Sequence, residues 1–402
     1  MMQRTADSPP NWLQRSDDAG LGCYVHLPFC DRICPYCDFA VVQYNERRAE
    51  RYLAALLTEI RAAAPAQRRL QTIYFGGGTP SALQPEHIAD IAQALWRKFS
   101  TAAGTIEFTL EANPARNSAA LAQWRASGVN RLSLGVQSFD DRELHRLGRT
   151  HSAAQARAFL EAARAAGFAN ISVDLIAGAP GQDLASFEHS LRQAVRCGVE
   201  HVSVYGLTIE AGTPYATWHH NEPAAFPDDD AVAGLLELAH DVLTDAGYAH
   251  YELSNFAQPG FEAAHNYGYW RQRDCTAFGM SAAGYEGGIR YRNAREFETY
   301  CNAVENGLSA RAEVEALSPG ERLGEAAMLA LRTASGLEYA DFSRRFVVDA
   351  PRVFHTALKK CMTAGLLEGD ANGARLTRRG RLLANSVCAE FLTPQIMTTA
   401  SS

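Results

Sequence analysis

Cys30-Asp31-Arg32-Ile33-Cys34-Pro35-Tyr36-Cys37 places three thiols at spacings of four and three. A loop can turn all three toward one centre. A tetrahedral zinc site takes four protein ligands, and no fourth Cys or His completes this set locally. An iron–sulfur cube held by three thiolates keeps one iron open to a small chelating molecule. An amine and a carboxylate, as at the methionyl end of S-adenosylmethionine, suit that open iron. A loop of coincidental cysteines and a degenerate zinc knuckle are the other readings of the spacing taken alone.

Around the cysteine loop, short apolar runs alternate with amphipathic stretches. Strands are expected at Cys23–Leu27, Thr72–Phe75, Thr105–Glu111, Arg131–Val136, Asn170–Ile176 and His201–Leu207. Helices are expected between them; in Glu46–Ala63, Tyr52, Leu53, Leu56, Leu57 and Ile60 share one stripe. Such alternation means parallel strands joined by crossovers. The polar residues then choose the architecture. The cysteines follow the first strand, Gly76-Gly77-Gly78-Thr79-Pro80 the second, Glu111 ends the third, Gln137 follows the fourth and Asp174 lies near the end of the fifth. Reactive residues at every C-terminal strand end form one rim above a barrel, whereas a doubly wound sheet gathers them at its switch point. The expected fold class is therefore α/β: an open, partial parallel β/α barrel of about six units.

Beyond it, Gln258–Tyr291 reads as irregular loops and short strands, and from about Leu317 helices precede a hairpin signal at Asp370-Ala371-Asn372-Gly373. This predicts a smaller α+β, winged-helix-like C-terminal domain. The expected division is a flexible tail at 1–20, the barrel at 21–215, an extension at 216–310, the C-terminal domain at 311–392 and a tail at 393–402.

Composition narrows the class. The chain has 402 residues, 47% hydrophobic and 21% charged, which describes a soluble globular protein. Its net charge of −7 gives no electrostatic argument for nucleic acid, and residues 311–402, with 12 Lys/Arg against 10 Asp/Glu, are too balanced for a duplex-binding surface. Nine cysteines, three of them clustered, make no secreted disulfide framework. No signal peptide and no apolar run long enough to span a membrane is present, so the expected address is the cytoplasm. Peripheral membrane contact and a homodimer stay open.

Gly76–Thr79 lets backbone approach a ligand without a Cβ in the way, and it lacks the Gly-Lys-Ser/Thr ending of a nucleotide-phosphate loop. Glu111 and Asp174 sit where strands deliver side chains to the rim. Either alone also reads as a buried structural carboxylate. His265-Asn266-Tyr267-Gly268-Tyr269-Trp270 combines an imidazole with three rings, which suits a haem or, equally, an aromatic core patch.

Together, Tyr24-Val25-His26-Leu27-Pro28-Phe29, the cysteine loop and the Gly-Gly-Gly-Thr-Pro run resemble the radical S-adenosylmethionine superfamily, in its coproporphyrinogen III dehydrogenase-like branch. Cys37-Asp38-Phe39, Gly135-Val136-Gln137-Ser138-Phe139 and His265–Trp270 are similar to the HemW-type haem chaperones of that branch, over roughly Gly22 to Phe391. The resemblance implies a 4Fe-4S cluster on Cys30, Cys34 and Cys37. It implies S-adenosylmethionine contacts at Tyr24, Gly77, Gly78, Thr79, Glu111, Gln137, Arg149 and Asp174. It implies haem near His265, Asn266, Tyr269 and Trp270, with His265 as the iron ligand, and apo-haemoproteins as acceptors. The decarboxylating dehydrogenases carry a fourth cysteine two residues after the third, where this chain has Phe39. The expected function is therefore haem binding and delivery, with an oxygen-independent coproporphyrinogen III oxidase or another porphyrin-modifying radical enzyme as the alternative.

Overall fold

The computed structural model describes residues 20–64, 69–101, 106–115 and 118–394. Residues 1–19 and 395–402 of the expected tails, and Thr105 of the expected third strand, lie outside them. Six parallel strands follow the expected order: β1 (Leu21–Leu27), β2 (Leu70–Gly77), β3 (Glu107–Ala112), β4 (Arg131–Gln137), β5 (Ile171–Ala177) and β6 (His201–Gly206). Each pairs with the next in parallel register, with Glu111 opposite Ser133 and Asp174 opposite Ser203. Among the described residues no pairing joins β6 back to β1, so the barrel is open.

Five helices make the crossovers: α1 (Glu46–Ala62), α2 (Pro85–Lys98), α3 (Leu121–Ala126), α4 (Ala153–Ala165) and α5 (Leu184–Arg196). Their starts are written locally. Asn45 caps α1 by accepting from the Arg48 amide at 3.2 Å, while Ser152 with Gln155 and Asp183 with Ser186 form capping boxes for α4 and α5. The apolar faces close the core against the sheet; α1 buries Tyr52, Leu53, Leu56 and Ile60, and leaves Leu57 only half-buried.

The sheet is wider than the six-unit reading. After helix α6 (Asp229–Asp245), β7 (Asn255–Ala257) adds antiparallel to β6. Inside the stretch read as irregular loops and short strands, two elements shape the sheet. Helix α7 (Ala264–Trp270) comes first, and β8 (Cys275–Phe278) lays a seventh parallel strand on the outer edge of β1. From β8 the sheet runs antiparallel through β9 (Ala283–Glu286), β10 (Ile289–Asn293) and β11 (Arg311–Ala316); with Ala249–His250 antiparallel to β7 at the opposite edge, it has twelve strands among the described residues. Alternating βα units betray parallel neighbours in sequence, but β8 joins an edge laid down some 250 residues earlier, and no local pattern announces that.

A second core lies in the C-terminal residues. Helices Pro319–Leu331, Tyr339–Phe346 and His355–Thr363 pack against a three-stranded sheet of Leu337–Glu338, Gly373–Leu376 and Leu367–Gly369. The hairpin falls where its turn residues put it, and two short helices, Arg378–Leu382 and Ala384–Ala389, follow it.

Candidate functional site

The cysteine loop is latched at its base before any metal is considered. Phe29–Cys30 pairs in parallel with Val42–Gln43, the Tyr44 amide donates to the Cys30 carbonyl at 2.7 Å, and Arg295 donates to the Asp38 carbonyl at 2.9 Å. The closed loop hangs over the C-terminal ends of the barrel strands. All three thiols line one cavity of about 450 Å³, a size that takes one drug-sized ligand.

Around those thiols the strand ends converge. The Thr79 hydroxyl lies 3.5 Å from Cys30 Sγ, and Arg149 Nη1 donates to Cys34 Sγ at 3.3 Å. Burial pushes the Cys30 thiol up to about 11 and raises that of Cys37 as well, so iron would have to displace protons there. Among the described residues no three His, Cys, Asp or Glu side chains converge on a single ion position. A cube makes no such demand, because each thiolate takes its own iron. Three thiols on a latched loop, with a hydroxyl and a guanidinium aimed at sulfur, fit the cluster.

Gly77 and Gly78 line the same cavity, but the structure gives them a second reason to be glycine. Gly77 has φ +110°, and a Cβ there would stand 2.5 Å from the His26 ring; one on Gly78 would stand 2.6 Å from the Pro28 carbonyl carbon. Strand β1 and the residues after it press on the run from behind, while its front faces the cavity. Gln137 closes β4 at φ 71°, a left-handed conformation rare outside glycine, next to a register shift that turns the strand end toward the cavity.

The carboxylates stand below. Glu111 accepts from the Tyr74 hydroxyl at 2.7 Å and from the Gly77 amide at 3.2 Å. Burial raises its carboxyl to about 7, with Asp174 adding to the rise and the two hydrogen bonds opposing it. Asp174, accepting from the Ser133 hydroxyl at 3.3 Å, is raised by burial too. An unfolded glutamate titrates near ~4.3, so between about 4.3 and 7 the folded chain holds a proton that the unfolded chain has lost. Stability contributed by that proton falls as pH rises through this window and stays lost above it. In protein without cluster or S-adenosylmethionine, Glu111→Gln should therefore gain urea resistance relative to wild type between pH 5 and pH 8. A gap that is flat with pH would show Glu111 already ionised at pH 5.

Eleven of the residues expected at the site share this cavity: Cys30, Cys34, Cys37, Gly77, Gly78, Thr79, Glu111, Gln137, Arg149, Asp174 and Asn266. Tyr24 does not line it. Its ring stacks on Tyr74 at 6.1 Å and its hydroxyl meets His26 Nδ1 at 3.1 Å, so it backs the wall.

The expected haem residues are split between separate places in the structure. His265–Trp270, in the stretch read as irregular loops and short strands, belongs to α7, which sits against the inside of the barrel. Glu107 on β3 accepts from the Ala264 and His265 amides, both at 2.9 Å, satisfying the first turn of the helix. His265 is buried, with Nδ1 on the Thr72 hydroxyl at 2.9 Å and Nε2 on the Tyr269 hydroxyl at 2.8 Å. Both ring nitrogens are engaged in this arrangement. Tyr269 and His265 line a separate cleft of about 20 Å³, and Trp270 packs under Arg332 at 5.4 Å. Only Asn266 reaches the main cavity.

Sequence reading missed Arg131, Ser133, Tyr205 and Ser203, all of which line the cavity. Strand periodicity carries the missing signal. On β4 the lining residues are Arg131, Ser133, Gly135 and Gln137, every second position back from a residue already singled out.

Comparison with known proteins fits this geometry. The Radical SAM superfamily profile matches residues 24–194, and the HemN C-terminal domain profile matches residues 317–383. The heme chaperone HemW of Bacillus subtilis is 35% identical over 373 residues, spanning 92% of this chain and 98% of that protein. HemW of Escherichia coli is 32% identical over 382 residues, spanning 92% and 98%. Among solved structures, the E. coli coproporphyrinogen III oxidase HemN, a radical SAM enzyme, superposes with a TM-score of 0.83 at 26% identity, covering 94% of this chain and 92% of that one.

Proposed function

Because the chain belongs to the HemW family of haem chaperones, within the radical S-adenosylmethionine superfamily, we propose that it binds haem, carries a 4Fe-4S cluster and hands haem to apo-haemoproteins. Cys30, Cys34 and Cys37 hold the cluster, which when bound supplies an open iron and one-electron chemistry. Gly77, Gly78 and Thr79 meet the methionyl end of S-adenosylmethionine. Glu111, Gln137, Arg149 and Asp174 bind its charged and hydroxyl groups, while Tyr24 steadies Tyr74 from behind. The handover takes place in the cytoplasm, where thiols stay reduced. Among the described residues no helix is long and apolar enough to cross a membrane.

The observation that carries the reading is position 39. Where the decarboxylating relatives place a thiol, Phe39 stands 68% exposed at the cavity mouth. A phenyl ring cannot ligate iron, and it offers an apolar face to a macrocycle. Ile33 and Tyr205, each 44% exposed, extend this rim. In this reading haem lies against the rim, in place of the site expected at His265.

Anaerobic reconstitution, haem titration, transfer to an apo-haemoprotein and product analysis in one sample test the reading. With reductant, S-adenosylmethionine and coproporphyrinogen III, no protoporphyrinogen should form, while haem should bind and pass on. Catalytic turnover to protoporphyrinogen would instead establish the oxidase, the alternative that the likeness to HemN favours.

A further inference from the structure

Arg131 is the first residue of β4 and only 1% exposed, yet its side chain makes no hydrogen bond and no ion pair with any described residue. Its Nε is fully enclosed and without a partner. Thr109, directly opposite it on β3, is fully buried and has an unpartnered hydroxyl as well. A guanidinium carries five donors, and leaving them unmet in a protein interior is costly unless something anionic arrives. What remains open to Arg131 is the cavity that it lines.

The surroundings do not supply the counter-charge at contact distance. Glu111 and Asp174 feel Arg131 electrostatically, and so do the buried imidazoles of His201 and His265, but none comes within ion-pair reach. Glu111 is committed to Tyr74 and Gly77, and Asp174 to Ser133. A structural arginine would have closed on one of them. Both carboxyls are also raised by burial. When either is protonated, Arg131 sets a positive field at this depth of the cavity.

We propose that Arg131 is an anion anchor inside the cavity, taking a carboxylate of the bound ligand on its planar donor fork. Paired N–H donors at a fixed spacing match a carboxylate edge, and a buried site exposes that match to little competing water. The reading rests on the proposed function, in which two ligands carry that chemistry: the methionyl carboxylate of S-adenosylmethionine and the propionates of haem.

Full-length protein reconstituted with its cluster is titrated with two ligand pairs. One is S-adenosylmethionine against its decarboxylated analogue; the other is haem against haem dimethyl ester. In wild type one pair should show a preference for the carboxylate form, and Arg131→Met should reduce that preference roughly 10- to 100-fold, the range for a lost charge-assisted hydrogen bond. The pair affected identifies the source of the carboxylate. Arg131→Lys, which keeps the charge but loses the fork, should fall between. The ratio, and not the affinity alone, is read, because general loosening of the barrel weakens both members of a pair equally. Unchanged ratios in Arg131→Met at full cluster content would overturn the proposal. If that variant fails to fold, equal wild-type affinity for both members of each pair, or a wild-type ratio in Arg131→Lys, overturns it as well. Wild-type protein that binds no haem would count against the chaperone reading, while the S-adenosylmethionine pair still decides the anchor.

Discussion

Replacing any one of Cys30, Cys34 and Cys37 with Ala should abolish the 4Fe-4S cluster after anaerobic reconstitution, with iron, sulfide and visible absorbance falling to background. Each thiolate holds a different iron, so a two-thiolate cube has two open corners and is poorly retained. The fold should survive. The loop is fastened by the pairing of Phe29–Cys30 with Val42–Gln43 and by Tyr44 on Cys30, contacts made by backbone and not by sulfur. Cys34 and Cys37 are half-buried and Cys30 is buried, so Cys30→Ala should cost most in stability, about 1 kcal/mol for a small buried group. The three variants then differ in melting temperature but agree in having no cluster. Full iron and sulfide in any one of them would remove that cysteine from the set.

The agreement among the three is what could be read from sequence, because it depends only on spacing and on the strand before the loop. The rim was legible for the same reason. Glu111, Gln137 and Asp174 each terminate an apolar run, and a parallel barrel sends every such terminus to one face. Where the reading failed, the deciding contacts were distant. Nothing within Cys275–Phe278 tells it to pair with Leu21–Leu27, and nothing within Ala264–Trp270 tells it to enter the barrel and meet Glu107. The latter segment holds a Gly and four aromatic or imidazole rings in seven residues, which suits a loop by propensity; its helix is imposed by the carboxylate at its first turn. Arg131 was passed over for a different reason. It sits at the beginning of its strand, while attention to strand ends favours the rim, and only the period-two count from Gln137 leads back to it.

His265→Ala is expected to act on stability and not on the haem spectrum. The ring is held at both nitrogens, by Thr72 at 2.9 Å and Tyr269 at 2.8 Å, and stacks on Tyr74 at 5.1 Å. Removing it strands two hydroxyls. The one on Thr72 is buried and bears a desolvation cost of about 1–3 kcal/mol, whereas the Tyr269 side chain is 39% exposed and can recover water. Together with the lost ring packing, the unfolding free energy should drop by about 2–4 kcal/mol near pH 7. The loss should shrink in acid. Burial, with Arg131 adding to it, lowers the His265 pKa to about 3, while an unfolded histidine titrates near ~6.5. Between those values the unfolded chain binds a proton that the folded chain refuses, so wild type gives up His265's stability as pH falls through ~6.5 toward 3. The alanine variant has no such proton to refuse. Urea midpoints of the two proteins should therefore converge from pH 7 to pH 5, with the Soret band of bound haem the same in both at pH 7. A variant with the wild-type midpoint and a shifted Soret band would mean that the ring leaves its two partners to reach iron, and α7 would then be a haem-binding helix after all.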